Sequence, residues 1–177
     1  MEELAKELIE LQDRYAKLAL ENWLTNEVFA LGWWFLLFIV VLPWVIFIRL
    51  YDRTRALQIW SFGLLVIMIT SFTDDLGSEL GVWLYPTKFV PFGLLALPFD
   101  FSIIPVAAML LYQYFKTWKT FSYALIGQAA IFAFIGEPLS VWLGTVTYIK
   151  WNYFYSFIFY ILTGMASKFL VQKWTSK

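Results

Sequence analysis

The side chains able to do chemistry in this chain are carboxylates, and two of them interrupt long apolar runs. Asp100 sits in Pro98-Phe-Asp-Phe-Ser102 and Glu137 in Gly136-Glu-Pro138. An ionisable group in hydrocarbon is costly and marks a proton, ion or substrate site by default. Asp74, Asp75 and Glu79 follow a polar run, Thr70-Ser-Phe-Thr73. Asp75 and Glu79 are spaced i,i+4 and repel if both are ionised on one helix, so a cation, a proton or Lys88 is expected between them. The sequence has no His and no Cys. That excludes Ser-His-Asp catalysis, thiolate zinc and iron–sulfur centres, and disulfides. No cofactor and no metal centre is expected.

The elements that must position these acids are membrane helices. Of 177 residues, 61% are hydrophobic and only 15% charged, against about 25% charged in soluble domains. Thirteen basic and thirteen acidic residues cancel. A neutral chain without a basic tract is not a nucleic-acid binder. A bilayer core of about 30 Å takes about 20 apolar helical residues. Apolar runs at 28–48, 56–73, 89–115, 120–149 and 151–171 predict five spans. The runs are long and lack period-2 alternation, which argues against a barrel. Ahead of them, Leu4, Leu8, Leu11, Tyr15 and Leu18 recur at helical spacing among seven acids and three bases. Residues 1–27 therefore read as an amphipathic helix, lying in the interface, packed on the bundle, or forming a homo-oligomer seam. The fold class is all-α: a polytopic membrane protein with five transmembrane helices (28–177) preceded by that helix.

Charge placement orients the bundle. Arg49, Arg53, Arg55, Lys116, Lys119, Lys168, Lys173 and Lys177 fall at the links after spans one and three and at the C-terminus. The positive-inside rule puts these in the cytoplasm and the N-terminus outside. Asp100 then lies roughly 18 Å and Glu137 roughly 26 Å along their helices at 1.5 Å per residue. With Asp74, Asp75 and Glu79 they would share one outward-opening cavity.

The surroundings of the two embedded acids are irregular. Pro91, Pro98 and Pro105 are seven apart, near one stripe of a continuous helix, and each removes a backbone donor. The carbonyls so freed need partners, which a wet cavity would supply. Asp100 is read either as a proton or cation site or as a neutral carboxyl bonded to Tyr or Trp. Glu137-Pro138 falls in a run too long for one straight span. It is read either as a broken helix lining a pocket, with Ser140, Gly144, Tyr148 and Trp151 following, or as the end of span four. Gly77–Leu84 matches Gly136–Leu143 at five of eight positions with an offset of 59, which would place Trp83 and Trp142 at equivalent depths. Trp83, Tyr85, Tyr148, Trp151, Tyr153, Tyr155 and Tyr160 crowd the same end; aromatic faces and carboxylates both attract a positive group.

From Trp33 onward, with Pro98-Phe-Asp-Phe-Ser102, Gly136-Glu-Pro-Leu139 and the Trp151–Tyr155 aromatic run, the chain resembles a family of small uncharacterised multi-pass membrane proteins of spore-forming Gram-positive bacteria. That resemblance implies a bacterial inner membrane and no particular activity. The chain is also similar, more loosely, to integral-membrane terpene cyclases, seven-span bundles whose buried acids protonate an isoprenoid. This similarity implies a general-acid role for Asp100 or Glu137. Three functions follow as expectations. The first is binding or transport of protons or cations, with Asp100 and Glu137 as the reactive acids and Asp74, Asp75, Glu79, Trp83, Trp142, Tyr148 and Trp151 lining the route. The second is an enzyme acting on a lipid or isoprenoid. The third is a structural or regulatory membrane subunit.

Overall fold

The computed structural model describes residues 2–175; Met1 of the expected N-terminal element and Lys177 of the basic set lie outside the described residues. Among the described residues the chain is all-α apart from one two-stranded ribbon. Helix α1 (Glu2–Asn22) runs through a π turn (Trp23–Glu27) and a bend at Phe29 into α2 (Leu31–Leu50). Helix α3 (Ala56–Glu79) follows a one-turn link, and strand β1 (Trp83–Leu84) follows α3. A π turn (Phe99–Ile103) opens α4 (Ile104–Tyr114). Helix α5 (Trp118–Ile131) continues through another π turn (Phe132–Gly136) into α6 (Glu137–Trp142), then strand β2 (Thr147–Tyr148) and α7 (Tyr153–Thr175).

Among the described residues, four helices are long and apolar enough to cross a membrane: Leu31–Leu50, Arg53–Glu79, Trp118–Trp142 and Tyr153–Trp174. The expected third span is the exception. Residues 89–96 form no helix, and although Leu97 and Pro98 are already helical, the π turn of 5 residues and the α segment of 11 that follow reach only about 24 Å. Prolines account for this. Pro91 withholds a backbone donor, while Pro98, at φ −60° and ψ −33°, sits in the first turn of the helix, where proline is tolerated, so the expected stripe of three prolines on one helix does not form. The fourth apolar run also ends sooner than expected, at Trp142, because Gly144 at φ 68° turns the chain out of the helix. Nor is the helix broken at Glu137-Pro138: it passes through with one π turn, the Glu137 amide donating to the Phe132 carbonyl.

Helices in lipid associate by close packing and by satisfying each other's polar groups. Gly63 of α3 seats Met109 of α4, and Gly164 of α7 seats Leu125 of α5, whose Cδ1 would lie 2.7 Å from an added Cβ. Around these contacts lie Phe47, Ile59, Phe62, Val66, Val106, Phe121 and Val171, all buried, with Phe62 stacked on Tyr112 at 4.6 Å. Leu57, Leu64, Met68 and Phe72 form the outward face of α3. The apolar residues of α1 are exposed too: Leu4, Leu8, Leu11, Tyr15 and Leu18 are each between 56% and 60% accessible, so that face does not pack on the bundle.

The two ends of the bundle are chemically opposite. At one end Gln113, buried on α4, accepts from the Asp52 amide at 2.8 Å and donates to the Leu50 carbonyl at 2.9 Å, while Arg55 Nη1 donates to the Gln113 carbonyl at 3.1 Å. The Thr54 hydroxyl and amide hold the Asp52 carboxyl below its usual pKa. Lys168 of α7, almost wholly buried, donates to the carbonyls of Phe115, Lys116 and Thr117 at 3.1–3.3 Å, and its ammonium lies 4.1 Å from the Phe121 ring centroid. A cation bound to helix-terminal carbonyls is favourable there.

At the other end the long loop after α3 is clamped to the N-terminal segment. Glu27 takes the Lys88 amide at 2.7 Å and pairs with its ammonium at 3.6 Å; Trp23 and Trp33 donate to the carbonyls of Lys88 and Phe89. Lys88 therefore pairs with Glu27 rather than lying between Asp75 and Glu79. The Gln113→Leu variant leaves the Asp52 amide and the Leu50 carbonyl unpaired and is expected to lower stability by about 2–4 kcal/mol, read as the midpoint shift of reversible unfolding in mixed micelles.

Candidate functional site

Two helix ends with the same local code build the site. After α3, the amides of Leu80, Gly81 and Val82 donate to the carbonyls of Leu76, Ser78 and Gly77; after α6, those of Leu143, Gly144 and Thr145 donate to Leu139, Val141 and Ser140. Both are Schellman closures, with Gly81 at φ 64° and Gly144 at φ 68° supplying the left-handed residue. Each residue of the first turn is matched 63 positions later (144 − 81). In that register the sequence repeats as acid-x-Leu-x-x-x-Leu-Gly-x-x-x-Tyr: Asp74, Leu76, Leu80, Gly81, Tyr85, and then Glu137, Leu139, Leu143, Gly144, Tyr148. The offset of 59 expected from letter identities is thereby corrected. It pairs Trp83, in a strand, with Trp142, at a helix end. The turns then meet, β1 pairing antiparallel with β2 so that Trp83 lies opposite Tyr148.

This junction covers a cavity with about 640 Å³ of empty space, its open mouth included. It has room for several waters. Asp74 of α3, Asp100 of the π turn before α4 and Glu137 of α6 line it, with Trp83, Tyr85, Tyr148, Trp151 and Tyr160 among the walls. No Lys or Arg is among the lining residues. Asp100 is buried at the level where Ser102 donates to the Val40 carbonyl, midway along α2.

The carboxylates are held differently. Asp74 Oδ1 accepts from Trp83 Nε1 at 3.1 Å and from the Tyr85 hydroxyl. Glu137 Oε1 accepts from the Tyr160 hydroxyl of α7 at 2.8 Å, and the Tyr148 and Ser156 hydroxyls lie against the same buried carboxyl. The difference follows from the repeat. The position matching Trp83 is Val146, which has no donor. Burial pushes the Tyr85 phenol well up, with the Asp74 charge adding to it; burial and then the Glu137 charge raise Tyr148. Both phenols therefore remain hydrogen-bond donors throughout the physiological range.

Of the residues singled out in the sequence, Asp74, Asp100, Glu137, Trp83, Tyr148 and Trp151 line this cavity. Asp75 and Glu79 are exposed on the outer side of α3, and Trp142 is 76% accessible, all three away from the lining. A helix can aim only one of two adjacent acids inward, which is why Asp74 and Asp75 part. Tyr85, Tyr160 and Ser156, the last accepting from Trp151 Nε1 at 2.8 Å, were not assigned to the site. The acid-to-tyrosine spacing of 11, present in both arms, was the available signal for Tyr85. The wet cavity expected to satisfy the carbonyls freed by proline is not needed at Pro105: Trp44 Nε1 donates to the Phe101 carbonyl at 3.1 Å.

Two outcomes test this geometry. Gly77 seats the Trp83 indole directly against its Cα. Gly77→Ala should push that ring off Asp74, shift the tryptophan emission and cost about 1–3 kcal/mol. The Tyr85 and Tyr148 phenols have folded pKa values above the unfolded value of 10.0. The stability from keeping them neutral is therefore complete below pH 10 and is lost as pH rises toward their folded pKa values. At about pH 11 they should contribute no phenolate absorbance until the protein is unfolded. No family model, curated protein or solved structure matches this chain.

Proposed function

We propose that this protein is a multi-pass cell-membrane protein, of a bacterial inner membrane, that binds or transports protons or cations through an outward-facing acidic and aromatic cavity. One observation carries the reading: three carboxylates from three helical segments line one cavity that no Lys or Arg lines. Negative groups gathered without basic partners repel one another, and the arrangement is favourable only when a proton or a cation is shared among them. The charge separation between the two ends supports the orientation. Arg49, Arg53, Arg55, Lys116 and Lys119 gather at the end away from the cavity. The positive-inside rule puts that end in the cytoplasm and the cavity mouth outside. Asp100 and Glu137 are the residues assigned to hold the charge, and Asp74, locked by two donors, sets the negative field of the mouth.

The test is reconstitution of the purified protein in liposomes loaded with a pH-sensitive dye. Wild type should take up protons, or bind a cation with release of protons, in a saturable manner. Asp100→Asn with Glu137→Gln should reduce that by about tenfold or more while the fold survives, as judged by near-UV circular dichroism. Unchanged proton or cation exchange in a folded double variant would overturn the proposal.

A further inference from the structure

We propose that protons leave the acidic cavity for the basic end of the bundle along the buried polar face of α7, past Tyr160; this rests on the reading above, with protons as the cargo. The first observation is a second, smaller cavity of about 290 Å³ of empty space, with room for about one water. Gln128 of α5 and Thr163 and Gly164 of α7 line it. Ile104 and Tyr160 line both cavities, so these two side chains form a shared wall. Tyr160 also donates its hydroxyl to Glu137 Oε1 at 2.8 Å, which ties that wall to a carboxyl of the acidic cavity. The second observation is where α7 keeps its polar residues. Ser156, Tyr160, Thr163 and Ser167 are spaced 4-3-4 and share one helix face. Ser156, Thr163 and Ser167 are all buried. The stripe starts at the acidic cavity, which Ser156 and Tyr160 line, and ends beside Lys168, whose ammonium sits on the carbonyls of the α4–α5 turn. From Tyr160 to Lys168 is about 12 Å along the helix.

The third observation separates this stripe from ordinary helix packing. Serine and threonine hydroxyls inside helices commonly satisfy themselves on the carbonyl one turn earlier, as Thr73 does on Ile69 and Ser122 on Trp118, both at 2.8 Å. Ser167 Oγ, wholly buried, has no such bond, and the Gln128 amide oxygen on the facing helix has no partner either. Apolar side chains of the same shape would cost less at both places. The polar groups become favourable in a state of the protein in which water reaches them. The acidic cavity has an open mouth, while these atoms beyond Tyr160 are dry. When Tyr160 turns aside, waters join the two cavities. The Glu137 carboxyl then gives its proton to a water, its O–H bond breaking as the new one forms, and the hydronium hands a proton to the next water along α7. The charge of Lys168 at the exit is met by three carbonyls and by the Phe121 ring. A path of single waters carries a proton and has no width for a hydrated metal ion.

The experiment follows proton entry, driven by an imposed pH gradient, into liposomes that hold the full chain and a pH-sensitive dye. Beside it, proton binding by the same protein is counted in nanodiscs after a small pH jump. Thr163→Val, Gln128→Leu and Ser167→Ala remove the polar groups with little change of shape. Each is expected to slow proton entry about tenfold and to leave the number of protons bound unchanged. Gln128→Leu and Ser167→Ala, which delete unpaired atoms, should leave thermal stability equal or higher. Ser71 also has a buried hydroxyl without a partner but lines neither cavity, so Ser71→Ala should not slow entry. Wild-type entry rates in the three folded variants, loss of proton binding in them, or equal slowing by Ser71→Ala would overturn the inference and leave the reading above standing. Proton binding without entry in the wild type would do the same. Neither binding nor entry in the wild type would remove both.

Discussion

Lipid offers no hydrogen bonds, so every polar group carried into this bundle must be satisfied by another group of the protein. That constraint explains the internal polar contacts. The carbonyl that Pro105 frees at Phe101 is taken by the Trp44 indole, and Ser102 turns its hydroxyl to the Val40 carbonyl. Gln113 closes the link between α2 and α3, and Lys168 places its ammonium on three carbonyls at the turn between α4 and α5. Against this background four buried side-chain atoms among the described residues lack a regular hydrogen bond, Ser71 Oγ, Gln128 Oε1, Ser167 Oγ and Glu137 Oε2, and of these four residues Glu137 lines the acidic cavity.

The cavity is built by using one local device twice. A helix ends in a Schellman turn, an acid lies about two turns before the turn's glycine, and a tyrosine follows in or just after a short strand. Pairing of the two strands brings the arms together and roofs the space below them. The arms are equal in backbone and unequal in side chain. Trp83 and Tyr85 pin Asp74 from within its own arm, whereas Glu137 depends on Tyr160 from α7. Duplication supplies the frame, and the replacement of Trp by Val at one position gives the frame a direction.

The irregular stretch before α4 has a matching role. A straight helix over residues 89–115 would have crossed the bilayer and carried Asp100 along its side. Because Pro91 opposes that helix and Pro98 is placed in its first turn, the chain enters the bundle as a loop clamped by Glu27, Trp23 and Trp33, and helix begins only at Leu97. Asp100 therefore lies in the first, π-helical turn, under the β ribbon, where the cavity reaches it.

The amino-acid sequence by itself determined four of the five expected apolar helices, their boundaries at the basic links, and the exceptional status of Asp100 and Glu137. Each of these follows from the cost of placing charge in hydrocarbon, which acts residue by residue. The repeat was also present in the letters, as acid, leucines, glycine and tyrosine, but frequent Leu, Val and Trp made a false register look better than the true one. Tertiary structure alone decided which acids share a cavity, because Asp74 and Asp75 are neighbours in sequence and differ only in the helix face they occupy. It likewise decided that Lys88 serves Glu27, that Trp142 points away while Trp83 points in, and that Glu137 is held by Tyr160 of α7. Those outcomes depend on partners 9 to 65 residues away, brought close only when the helix ends meet, and no local pattern encodes such a meeting.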